Sequence, residues 1–114
     1  MFEMKKSNVK DLITSNSEYK YSISITNQFK KNFVLCVTRG FDKQLLLDAV
    51  LLLAKNGNLP VEYKAHPLKG YKKKDNEVVM ECHIQPDWLL VWKQNDTELT
   101  LLLTDTGTHS DLFG

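Results

Sequence analysis

Cysteine is scarce in this 114-residue chain. Cys36 and Cys82 stand far apart, each inside an apolar segment. That separation excludes zinc-site spacing and fits buried thiols in a reducing compartment. Long apolar runs are also missing. Nothing approaches the ~20 consecutive apolar residues of a membrane span, and the opening residues have no apolar core like that of a signal peptide. A cytoplasmic protein without a membrane partner is therefore expected. Cations almost vanish from the last third of the chain. Residues 75–114 hold Lys93 alone against 8 acids, whereas residues 1–74 hold 14 of the 15 Lys/Arg against 6 acids. The net charge of +1 thus hides one part suited to a polyanion and another that is not. A solvated basic helical face is the plainer explanation of the same numbers.

What is present is one domain's worth of chain, with ordinary apolar and charged fractions of 42% and 25%, which suffices for a core without staples. Residues 1–18 form an extension of weak periodicity. A short helical stripe of Val9, Leu12 and Ile13 and a loose segment both fit it. The domain proper is expected over 19–114. Tyr19, Tyr21, Ile23 and Ile25 alternate with polar residues, the signature of a half-buried strand. Thr26 can cap a helix with Phe29, Phe33 and Cys36 or Val37 on its apolar stripe, ended by Gly40. Asp42 can cap a second helix with a wide apolar face from Leu45 to Leu53, closed by Gly57 and Pro60. Residues 59–70 read as a loop, and Lys72, Lys73 and Lys74 form a basic run ending in turn residues. Strands follow over Val78–Ile84, Trp88–Lys93 and Glu98–Thr104, then a sharp turn at Thr106–His109 and a short tail. The order predicts an α+β fold: an N-terminal helical hairpin packed on a small, largely antiparallel sheet.

Pro86 fixes its own φ and removes a ladder donor, so the corner between two strands must fall at Pro86-Asp87. His83 and Asp87 flank it. The chain has three histidines, His66, His83 and His109, and each lies at a loop or strand end. Histidine titrates near neutrality, so gathered imidazoles can deliver and remove protons at one reacting centre, and Asp87 would complete an acid/base cluster. A three-histidine metal site is the competing chemistry, but no helical His pair presets its geometry. For each residue alone, a surface histidine or a turn-forming aspartate is the blander reading.

Three stretches carry a resemblance: His66-Pro67-Leu68-Lys69-Gly70, Glu81-Cys82-His83-Ile84-Gln85-Pro86-Asp87-Trp88, and Thr106-Gly107-Thr108-His109-Ser110-Asp111-Leu112-Phe113. In this order they resemble the YafQ branch of the RelE/ParE toxin superfamily, over about Tyr19 to the C-terminus. The resemblance implies a β-α-α-β-β-β toxin of a type II toxin–antitoxin module. Such a toxin is a ribosome-dependent endoribonuclease that cuts messenger RNA in the decoding site of the 70S ribosome. It implies a cognate antitoxin, through which the complex binds operator DNA, and no cofactor or metal. The family's catalytic residues fall on His66, His83, Asp87 and His109, and its aromatics on Trp88 and Phe113. His109 would be the acid and His83, steered by Asp87, the base, with His66 orienting the phosphate or sharing the proton work.

The pattern departs from the family at three places. Asp105 stands where an arginine usually precedes the Thr-Gly-Thr-His motif, Met80 replaces a further basic residue, and Lys72–Asn76 or nearby is inserted. Lys72, Lys73 and Lys74 are candidate replacements at the phosphate, as point charges without the bidentate fork. A second function class follows from Asp105: a catalytically weakened or inactive protein of the same fold, acting through an antitoxin or other partner. A third is a basic helical face, with Lys30, Lys31, Arg39, Lys43 and Lys55, that binds RNA non-specifically.

Overall fold

Alternation in the first strand and 3.6-residue periodicity in the next two segments place their apolar side chains on facing surfaces, and the computed structural model shows those surfaces meeting. It describes residues 19–70 and 76–114. The 1–18 extension and Lys72, Lys73 and Lys74 lie outside the described residues.

Strand β1 (Ser22–Ile25) leads into helix α1 (Asn27–Thr38) and helix α2 (Lys43–Asn56). Thr26 caps α1 as expected, its hydroxyl oxygen accepting from the Phe29 amide at 3.0 Å. Asp42 caps α2 by accepting from the Gln44 amide, and Gly57 ends it in the left-handed region at φ 77°. A larger residue there would be strained, since a Cβ would lie 2.6 Å from the Tyr21 hydroxyl. A 3-10 turn (Val61–Tyr63) precedes β2 (His66–Pro67), β3 (Glu77–Gln85), β4 (Trp88–Asn95) and β5 (Thr100–Gly107), and α3 (His109–Phe113) closes the chain.

The five strands lie in the order β1-β5-β4-β3-β2. β1 runs parallel to β5, whereas the other three pairings are antiparallel. The sheet is therefore mixed, with one parallel pair at its edge. Three details differ from the expectation. The last strand runs Thr100–Gly107 rather than Glu98–Thr104, so Thr106 and Gly107 of the expected turn are still paired with β4. The first strand begins at Ser22, because the amides of Lys20 and Tyr21 are taken by the Ala54 carbonyl at the end of α2. The 59–70 loop contains the short β2, where His66 pairs with Glu81 and Pro67 with Met80. A two-residue strand at a sheet edge is where a proline is tolerated.

Phe29, Phe33 and Cys36 from α1 and Leu46, Val50 and Leu53 from α2 bury against Ile23, Cys82, Leu90, Trp92, Leu101 and Leu103 of the sheet. The helices thus cover one face, and the corner between β3 and β4 reaches the sheet's end together with the start of α3. That end carries the candidate chemistry.

Candidate active site

Gln85 pairs with Trp88 across the corner, leaving Pro86 and Asp87 as a two-residue turn. The register shifts between His83 and Gln85. A bulge of this kind re-aims the neighbouring side chain. The His83 ring lies 5.7 Å, centroid to centroid, from the His109 ring. His109 is the first residue of α3, and Phe113, one turn on, brings its ring to 6.5 Å from that of His109. Phe113 is 57% exposed, so its face is open to a ligand. The structure thus brings His83, Asp87, His109 and Phe113 to one mouth.

Asp87 serves His109 rather than His83. Its Oδ1 accepts from the His109 backbone amide at 2.9 Å and from Nδ1 of the ring at 2.7 Å. The expectation that Asp87 steers His83 is corrected: α3 begins directly over the corner and claims the carboxylate for its own first amide, one of the donors a helix leaves unpaired. The amide and then the ring of His109 hold the Asp87 carboxyl below its usual range. An ionised carboxylate only accepts, so Nδ1 carries the proton and Nε2 is the exchanging nitrogen. His83 follows the same rule with a different acceptor, its Nδ1 donating to the Pro86 carbonyl at 3.3 Å.

His66 sits one strand over. Its Nδ1 donates to the Lys64 carbonyl at 2.8 Å, and its Nε2 lies 3.2 Å from Glu81 Oε1. Glu81 and His83, two apart on β3, share one face of the sheet, so His66 borders the cluster through Glu81. The Glu81 side chain is only 7% exposed, and its Oε2 has no hydrogen-bond partner among the described residues. The pair becomes an ion pair when the His66 ring carries both protons.

Trp88 is not available to RNA. It is 1% exposed, its indole donates to the Thr106 hydroxyl at 2.9 Å, and Phe41 meets it edge-on at 4.9 Å. Its expected place among the RNA-binding residues is corrected to the core, where strand β4 turns it under the helices. Cys82 is no nucleophile either: burial pushes its thiol up to about 12.

The reversed charge at Asp105 is absorbed structurally. Its carboxylate accepts from the side-chain amides of Gln28 and Asn32 on α1, both at 2.7 Å, and from the Thr106 amide. Sequence reasoning gave no role to Glu81 or Asp111 and placed Arg39 only on the basic helical face. The Arg39 guanidinium, at the end of α1, donates to Asp111 Oδ2 at 2.7 Å, and Asp111 closes a capping box with Thr108 at the start of α3. The spacing Thr108-His109-Ser110-Asp111 is itself a capping-box signature. For Arg39 no local signal exists, since its partner lies 72 residues away.

Among the described residues no group of three or more His, Cys, Asp or Glu is arranged to hold a metal ion, and no helix is long and apolar enough to cross a membrane.

Comparison with known proteins adds a family. The family model described as "Bacterial toxin of type II toxin-antitoxin system, YafQ" matches residues 21–114. The mRNA interferase toxin YafQ of Escherichia coli BL21-DE3 is 37% identical over 97 residues, covering 81% of this chain and 95% of that protein. The crystal structure of the E. coli DinJ-YafQ toxin-antitoxin complex superposes with a TM-score of 0.73 at 35% identity, covering 83% of this chain and 99% of that one. A metal-bound toxin from Helicobacter pylori is 41% identical, with a TM-score of 0.72 over 82% of this chain and 99% of its own.

Proposed function

The chain belongs to the YafQ family of bacterial toxins from type II toxin–antitoxin systems, and from that premise we propose that it is an mRNA interferase, a ribosome-dependent endoribonuclease that cuts messenger in the decoding site. One observation carries the reading: the His83 and His109 rings lie 5.7 Å apart with their Nδ1 atoms anchored, so that their two Nε2 atoms serve one phosphate. His83 takes the proton from a ribose 2′-hydroxyl. The O2′–P bond forms, the P–O5′ bond breaks, and His109 gives its proton to the departing O5′. The products are a 2′,3′-cyclic phosphate and a 5′-hydroxyl. Asp87 holds Nδ1 of His109, which leaves Nε2 to serve the departing oxygen as acid. His66, held 3.2 Å from Glu81, orients the phosphate or shares the proton work, and Phe113 stacks on a neighbouring base.

A cognate antitoxin is the expected protein partner, because the E. coli relative is seen in complex with the DinJ antitoxin. The complex would bind its operator DNA through that antitoxin. Lys72, Lys73 and Lys74 remain candidates for the phosphate, and the cytoplasm, where messenger is translated, is the proposed compartment. Asp105 favours a second reading, a catalytically silent protein of the same fold that still binds its antitoxin. Induction of the protein alone in cells, with messenger 5′ ends mapped against His109→Ala, separates the two. In-frame cuts made by the wild type and lost in the variant support the nuclease. Identical maps for both proteins favour the silent binder.

A further inference from the structure

A cavity of about 580 Å3 opens beside His83, between α2, the 3-10 turn and the corner of β3 and β4. Leu45 and Leu52 of α2, Tyr63 of the 3-10 turn and Ile84 of β3 give it an apolar lining, the charged Glu62 and Lys64 line it too, and His83 and Gln85 border it. Leu45, Tyr63 and Ile84 pack against the core and are only partly buried, so they remain open to the cavity. Of the cluster His83, Asp87 and His109, His83 alone lines this space.

Apolar walls with one aromatic ring suit the flat face of a nucleobase, and a rim amide with donors and an acceptor suits its edge. Gln85 is exposed and provides that amide. The two flanks of the cluster differ. Beyond His109 lies the open ring of Phe113, whereas beyond His83 lies the cavity. A scissile phosphate held between the two imidazoles would therefore have one neighbouring base over Phe113 and the other at the cavity mouth. Resting on the nuclease reading above, we propose that the cavity receives the base of the nucleotide whose 2′-hydroxyl attacks, and that Gln85 reads its edge.

The test uses purified full-length protein, programmed 70S ribosomes and four messengers that differ only at that nucleotide. The wild type is expected to cut the four with unequal kcat/KM. Gln85→Leu should retain cutting but flatten the base preference. Leu45→Trp, which fills the cavity, should lower kcat/KM about tenfold or more through the lost stacking site, chiefly in KM. Circular dichroism and thermal melting report on its fold; if Leu45→Trp misfolds, exposed Gln85→Leu decides alone. Wild-type rates and preferences in a folded Leu45→Trp or in Gln85→Leu would overturn the proposal. Loss of antitoxin binding with unchanged cutting would overturn it too, and would assign the cavity to a protein partner. A wild type that cuts nothing would remove the nuclease reading and the base site with it, an outcome distinct from cutting that ignores the cavity.

Discussion

Asp87 shares one oxygen between the amide and the ring of His109, so a single carboxylate fixes both where the imidazole sits and which nitrogen works. Asp87→Asn keeps the shape but also offers an amide hydrogen to Nδ1. It is expected to lower kcat about 10- to 100-fold, within the usual range for acid–base groups, with KM little changed. Single-turnover cleavage on programmed ribosomes measures this. Asp87 is exposed on a turn, so the variant should melt like the wild type. Glu81→Gln removes the charge facing His66 without changing its shape. Cleavage should fall about tenfold if that pair supports the phosphate, and equal rates would leave His66 a merely structural residue. The candidate histidines were legible from their positions at loop and strand ends. The partner of Asp87 was not, because nearness in sequence favoured His83 while the helix start claimed the carboxylate. Trp88 misled for a similar reason: it is next to Asp87 in sequence, yet it opens strand β4 into the core while Asp87 stays on the exposed turn.

Helix α3 has five residues, too few for intrinsic stability, yet it carries both His109 and Phe113. Its anchor is Asp111, which the Arg39 guanidinium and then the Thr108 amide pull down from 3.8 to about 2. A depressed carboxylate contributes its stabilisation above its ordinary value and loses it as pH falls through the lowered one. The α3 anchor should therefore hold at neutral pH and release only between about pH 4 and pH 2. NMR shifts of His109 and Phe113 would follow that release, and Asp111→Asn should abolish the transition. The elements themselves were largely readable, because Thr26, Asp42 and Gly57 mark helix ends by side-chain chemistry alone. The parallel β1–β5 pairing and the two-residue β2 were not, since both depend on partners remote in sequence. Asp105 ties α1 to β5 through Gln28 and Asn32. Asp105→Ala should cost about 1–2 kcal/mol of stability, as partly exposed hydrogen bonds to a charged acceptor are lost. Urea denaturation would read it. Gly57→Ala should cost about 1 kcal/mol or more, given its left-handed backbone and the Tyr21 ring against it.

At the scale of the whole molecule the charge asymmetry divides labour. The first 74 residues are basic and the last 40 acidic, so under the proposed function most cations that would meet ribosomal RNA lie in a different part of the chain from His83, Asp87 and His109. Binding to ribosomes should weaken steeply with salt, while the base preference of cutting should not. The most direct measurement incubates purified protein with ribosomes that hold a defined codon in the decoding site, and analyses the messenger ends. The account expects one cut leaving a 2′,3′-cyclic phosphate and a 5′-hydroxyl, made by the wild type and lost in His109→Ala. An uncut messenger with wild-type protein bound to the ribosome, or equal cutting by His109→Ala, would contradict it.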